Sequence, residues 1–364
     1  MLVSVVFLAL FGSFALAAID PSINRVNLKI HRQSPSELNH FKHNPEDAAL
    51  FALNLYVGSG EGQLPMLKLD LTKGDLELFM CNDTSLSIEE AAANMCYNPS
   101  LSTTYVQVSN FTGADTFKSA FPDDDPYILP NVTFIATRTK PGHDLLPGNE
   151  AGIMGLGWPA LQRYPDTFFP YAYLQHYREK IFSLALDLKG CAGYHIWGGY
   201  CNGVEHGERP HYVPLTSTSF WQFALQGFQF GTINQRLSAQ AVITTTKGYI
   251  GMPLKYLKSM MNEYGIRYDG LYSAYVVDCN AQLPDFVIMV EGKSLRIRSG
   301  QYVYREAPLA SGQCVVNFED SDAYGFGPDW YFGLPLMQAQ CVTFDYDRKR
   351  VGFTENNAPS HCEF

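Results

Sequence analysis

The sequence predicts a mostly β protein. Short runs alternate apolar and polar residues, Gly, Pro, Asn and Asp separate them, and helical periodicity is scarce. "PMLKLDL", "NVTFIATR", "KIFSLALDL", "WQFALQGFQFG" and "FVIMVEGKSLRIR" are such runs. The best helical stretch is "PLKYLKSMMNEYG". There Pro253 suits a first helical position, Leu254, Leu257 and Met261 share a face, and Gly265 can end the helix.

A chain of 364 residues is long enough for two ordinary domains or one large bilobal unit. With 46% hydrophobic, 14% aromatic and only 17% charged residues, it is too apolar for disorder. A net charge of −10 argues against a nucleic-acid partner.

Residues 1–17 read as a signal peptide: "MLVSVVFLALFGSFALAA" is an apolar run with small residues at Ala15 and Ala17, although the usual N-terminal positive charge is missing. Eight cysteines without metal-type CxxC spacing agree with an oxidising compartment. So do three N-x-[ST] sequons, at Asn82, Asn110 and Asn131, while Asn98 is blocked by Pro99. The expectation is a secreted, disulfide-bonded glycoprotein, monomeric and free of the membrane once the signal is cleaved.

Residues 18–45 form a polar, basic segment with Arg25, Lys29, Arg32 and Lys42, and lobes are expected at 46–216 and 217–364. The acidic run Asp123 to Asp125 reads as a solvated loop, lacking the spaced ligands of a calcium site. "GSGEG" at 58–62 looks like a phosphate-cradling loop, but Pro65 and strand alternation follow it instead of a helix. The chain has no HExxH, no GxSxG and no Cys with a nearby His, and the His206/His211 pair reads as surface. No metal and no cofactor are expected.

Several segments together resemble the pepsin-like aspartic proteases, over roughly residues 50–355. "YNPSLSTTY", "AGIMGLGWPAL", "IWGGYCNG", "VDCNAQLPDFVIMVEGKSLRIRSGQYV" and "DWYFGLPLMQAQCVTFDYDRKRVGF" occur in the family's order and spacing. The resemblance implies two β-rich lobes with a long cleft that holds an extended peptide. It implies one Asp-Thr-Gly loop per lobe, each on a hydrophobic-hydrophobic-Gly support, here Ile153-Met154-Gly155 and Tyr331-Phe332-Gly333. On the family pattern Cys81 pairs with Cys96 and Cys279 with Cys314; by proximity, Cys191 is assigned to Cys201 and Cys341 to Cys362. The segment 18–45 resembles the family's prosegment, whose lysine pairs with the catalytic carboxylates before activation.

The family reaction needs two carboxylates sharing one proton, one to polarise the carbonyl and one to activate water. The second loop, "SAQAVITTTKGYIGMP", places Thr244 at the aspartate position when aligned without a gap, and no Asp or Glu occurs from 238 to 262. The first loop, "KLDLTKGDLELF", allows two registers. In one Asp70 is the retained aspartate, with Leu71 and Thr72 replacing Thr and Gly. In the other Thr72 takes its place, Gly74 keeps the turn glycine and Leu78-Phe79 match the family's Leu-Trp. A shift of two preserves strand face, so parity cannot decide. The repeated Thr72-Lys73-Gly74 and Thr246-Lys247-Gly248 incline the first loop to the shifted register. In both, the pair of aspartates is incomplete.

Phe111 is the nearest aromatic to a flap tip, and Lys73 and Lys247 are candidates to place cations in the cleft floor or turn to solvent. The leading expectation is a catalytically inactive homologue binding an extended peptide or protein. The alternative is an active endopeptidase using Asp70 with another proton carrier, such as Asp75 or a histidine.

Overall fold

The computed structural model describes residues 24–31, 49–52, 55–60, 62–119, 128–138, 150–175, 177–186, 192–201, 209–306, 308–321 and 327–356. The signal-peptide segment, the run 123–125, His206, Cys191 and Cys362 lie outside them. Among the described residues the strands join into one hydrogen-bonded system of 21 and a separate sheet of four. This is the mostly β architecture expected, with the bilobal pepsin-like plan.

One arrangement occurs twice. In the first half, Leu67–Asp70 runs parallel to Gly152–Gly155, with Leu69 beside Met154 and Asp70 beside Gly155. Leu76–Phe79 closes on the other edge of Gly152–Gly155, with Leu76 beside Met154. In the second half, Ile233–Ile243 runs parallel to Trp330–Phe332, with Ile243 beside Phe332, and Ile250 pairs with Phe332 from the other edge. Alternating Leu67, Leu69 and Leu71 are fully buried, as are Ala241 and Ile243, so each strand is locked by its apolar set. The two supports are glycine-dependent because backbone passes close by. A Cβ on Gly155 would stand 2.6 Å from the Asp75 carbonyl, and one on Gly333 would stand 2.0 Å from that of Lys247.

A third group of strands joins the halves. Ile181–Leu186 pairs with Ala192–Trp197 on one side and with Gln340–Asp345 on the other. Gln340–Asp345 continues to Arg350–Glu355, which pairs with His211–Ser217. Strand Asn24–His31, inside the basic N-terminal segment, is woven in between Ala192–Trp197 and Ala49–Ala52.

This sheet corrects the cysteine assignment. Cys81–Cys96 and Cys279–Cys314 form as expected, but Cys201 is bonded to Cys341, 140 residues away. The pairings Cys191–Cys201 and Cys341–Cys362 are thereby excluded. Strand order is the reason: Leu184 faces His195 on one side and Val342 on the other, so residues of Ala192–Trp197 and Gln340–Asp345 lie across the same strand, and Cys341 packs with Ala185, Tyr194 and Ile196 in the cluster that Cys201 joins. Proximity in sequence was the wrong guide.

The helix forms at Leu254–Tyr264, with Pro253 as its N-cap residue rather than inside it and Gly265 as a left-handed C-cap at φ 68°. Its buried face is Leu257 and Met260; Leu254 and Met261 are only half-buried.

Candidate functional site

Both loops leave the ends of the paired strands and bond alike. The Thr72 N–H and hydroxyl donate to Asp70 Oδ1 at 2.8 and 2.5 Å. The Thr246 N–H donates to Thr244 Oγ1 at 3.2 Å, and the two hydroxyls of Thr244 and Thr246 share a bond of 3.0 Å. Asp70 and Thr244 are thus equivalent, as are Thr72 and Thr246.

A tie between the loops completes the assignment. Thr245 Oγ1 accepts the Leu71 N–H at 3.1 Å and donates to the Leu69 carbonyl at 2.7 Å. That is the work of the threonine in Asp-Thr-Gly, which puts Thr244 at one aspartate position and Asp70, one residue before Leu71, at the other. The shifted register is corrected: Thr72 stands two residues beyond the aspartate position. The Thr-Lys-Gly repeat is a true equivalence, but it begins two residues past that position in both loops. Leu71 has no hydroxyl with which to return the tie, so half of it is lost.

Asp70 is 5% exposed, and Thr244 and Thr245 are buried more completely. Replacing Thr245 with Val leaves a buried N–H and a buried carbonyl without their partner. Chemical denaturation of Thr245→Val is expected to show a loss of about 3 kcal/mol, with Thr245→Ser retaining most of the stability.

Asp75 is occupied elsewhere. It accepts the Arg163 backbone N–H at 3.0 and 3.1 Å, the Arg163 Nε–H at 3.1 Å and the Thr167 hydroxyl at 2.7 Å. Arg163 also reaches Glu77 at 2.6 Å, and Glu77 takes the Thr137 hydroxyl at 2.6 Å. This Arg163–Asp75–Glu77 cluster pins the first loop to the segment that follows Gly155. Its members are 86 and 88 residues apart and carry no local signal. Thr245, by contrast, was legible as the middle residue of the second motif.

The remaining candidates are placed differently. Lys73 and Lys247 contribute backbone: the Gly157 N–H donates to the Lys73 carbonyl at 2.8 Å and the Leu334 N–H to that of Lys247 at 3.0 Å. The Lys247 ammonium lies 5.3 Å over the Tyr249 ring. Gly74 fits where a Cβ would stand 2.6 Å from the Trp158 carbonyl. Gly248 ends the equivalent turn of the second loop.

Phe111 lies in the turn between Val106–Gln107 and Thr112–Ser119, where the Val108 and Ser109 N–H groups donate to the Thr112 carbonyl. It precedes strand Thr112–Ser119 at the base of its hairpin with Ile128–Thr137, where its carbonyl accepts the Ala136 N–H. It is 58% exposed and stacks on Tyr164 at 5.8 Å. The far end of that hairpin, 120–127, lies outside the described residues. The glycines of "GSGEG" serve a turn between Val57 and Gln63, where the Gly62 N–H donates to the Ser59 carbonyl and the Ser59 N–H to Ser102.

Between the halves, the Leu156 carbonyl accepts both the Trp221 indole N–H at 2.8 Å and the Tyr346 hydroxyl at 2.9 Å. Trp158 packs against both rings, at 4.9 and 5.3 Å. The loops therefore stand on a rigid aromatic base.

The family model for eukaryotic aspartyl proteases matches residues 54–356. Aspartic protease 10 of Caenorhabditis elegans is 30% identical over 280 residues, which is 71% of this chain and 64% of that protein. Aspartic protease 17 of the same organism is 29% identical over 211 residues, 56% of this chain and 53% of that protein. Gastricsin of Mus musculus is 24% identical over 353 residues, 89% and 88% of the two chains. This chain thus spans about half to two thirds of the length of these nematode relatives. With the matching family model and the twice-repeated loop geometry together, the chain belongs to the eukaryotic aspartyl protease family.

Proposed function

We propose that this protein is a secreted, glycosylated member of the family that has lost catalysis and binds an extended peptide or protein segment in the groove between its lobes. One observation carries the reading: the residue equivalent to Asp70 is Thr244, with no Asp or Glu from 238 to 262. A hydroxyl does not titrate near working pH, so it cannot hold the shared proton, and a lone carboxylate cannot both polarise the carbonyl and activate water. Asp75, the closest alternative in sequence, is engaged by Arg163 and Thr167. Meanwhile the loop tie through Thr245, the glycine supports and the aromatic base between the halves all remain, which favours a retained binding architecture over a decaying one. The disulfides and the signal-like N-terminus support secretion.

The test incubates purified chain with a denatured protein at acidic pH and titrates it with long peptides. The expected result is no turnover and saturable binding. Cleavage that a transition-state-mimicking inhibitor of aspartic proteases blocks, and that Asp70→Asn abolishes, would overturn the reading.

A further inference from the structure

Strand Ile128–Thr137 is bulged. Asp115 pairs with Val132 and Phe117 with Leu129, so Thr116 stands opposite two residues, Pro130 and Asn131. Asn131 takes the left-handed conformation at φ 55°, which asparagine tolerates better than most residues. The bulge sets Asn131 on the rim of a groove between this strand and helix Phe169–Leu174. The groove holds about 460 Å³, a size that suits small-molecule ligands (about 300–1,000 Å³). Ile128, Phe168 and Ala172 supply an apolar floor, and Asp166 and Gln175 a polar edge. Ile128 is 52% exposed, a large apolar side chain left open to water.

The left-handed backbone suits an asparagine and the strand suits Thr133, and together they complete Asn131-Val132-Thr133 as a sequon at the rim of the groove. The Asn131 side chain is exposed and makes no hydrogen bond with the described residues, so its amide is open to modification. A pyranose has an apolar C–H face and a hydroxyl edge, matching an apolar floor with a polar rim.

We propose that Asn131 carries an N-linked glycan whose first N-acetylhexosamine lies back in this groove as a structural part of the lobe. The proposal rests on the secretory reading above. In the modification, Asn131 Nδ2 forms a bond to the anomeric carbon of a sugar carried on a lipid pyrophosphate. The carbon–oxygen bond to pyrophosphate breaks, and the nitrogen gives up one proton.

The test uses full chain secreted from a eukaryotic host, with site occupancy read by mass spectrometry. Three forms are compared: intact, trimmed by an endoglycosidase to one N-acetylglucosamine per site, and stripped by an amidase that leaves aspartate. The trimmed form should keep the intact Tm, and the stripped form should fall by about 2–4 °C with increased binding of an apolar dye. Thr133→Ala, which removes the glycan and keeps the Asn131 backbone, should fall equally. Thr133→Ser, which keeps the sequon, should not. Asn82→Gln and Asn110→Gln should stay within about 1 °C. Sugar at Asn82 or Asn110 with none at Asn131 overturns this inference alone, as does a stripped form as stable as the trimmed one. No sugar at any of the three overturns the secretory reading with it.

Discussion

Thr244→Asp is expected to raise the peptidase activity of the protein above that of the unmodified chain. The variant carboxylate would stand where Thr246 already presents a backbone N–H and a hydroxyl, as Thr72 does for Asp70. Two carboxylates at these equivalent positions cannot both ionise, and the proton they share is what the reaction requires. Adding Leu71→Thr returns the missing half of the loop tie, and the double variant should be the faster of the two. Hydrolysis of a quenched fluorescent peptide at about pH 4 should rise at least ~10²-fold over the unmodified chain, the low end of general acid–base contributions. Asp70→Asn in the same background should remove the gain. A folded double variant that still cleaves nothing would show that the groove itself, and not only the second carboxylate, has changed.

The second large effect concerns acid. His195, in strand Ala192–Trp197, is fully buried between the rings of Phe182 and Trp197, at 5.4 and 4.2 Å, and neither ring nitrogen has a hydrogen-bond partner among the described residues. Burial pushes its pKa down to about 3. The folded chain keeps the imidazole neutral while the unfolded chain protonates near pH 6.5. Stability from this residue is therefore unaffected above about pH 6.5 and falls progressively as the pH drops towards 3, by about 1.4 kcal/mol per pH unit. His195→Leu removes the titration and two unpaired polar atoms. Urea denaturation should find it at least as stable as the parent at neutral pH and more stable by about 3 kcal/mol at pH 4. Parallel pH profiles for the two proteins would refute the argument. Such a residue weakens the fold under the acidic conditions in which a shared-proton dyad works.

Much of this was legible in the chain. Alternation separated by turn residues carried the β class, and the hydrophobic-hydrophobic-Gly supports could be read directly because each is a contiguous tripeptide. Cys81–Cys96 and Cys279–Cys314 followed from the family pattern. That Phe111 sits in the short turn between Val106–Gln107 and Thr112–Ser119 was not legible, because strand pairing is not written in local pattern.

By itself, the sequence determined that a carboxylate pair is absent: no register can supply an acid from a stretch, 238 to 262, that contains none. Only the tertiary structure decided which residue of "KLDLTKGDLELF" is the survivor. Strand faces repeat every two residues, so a slip of two is invisible to periodicity, and the Thr-Lys-Gly repeat is compatible with either choice. Asp70 was selected by hydrogen bonds from Thr245 to the strand end, across 174 and 176 residues of chain. The same holds for Cys201–Cys341 and for Arg163 on Asp75: these partners meet because strand order brings them together, and local pattern does not encode that order.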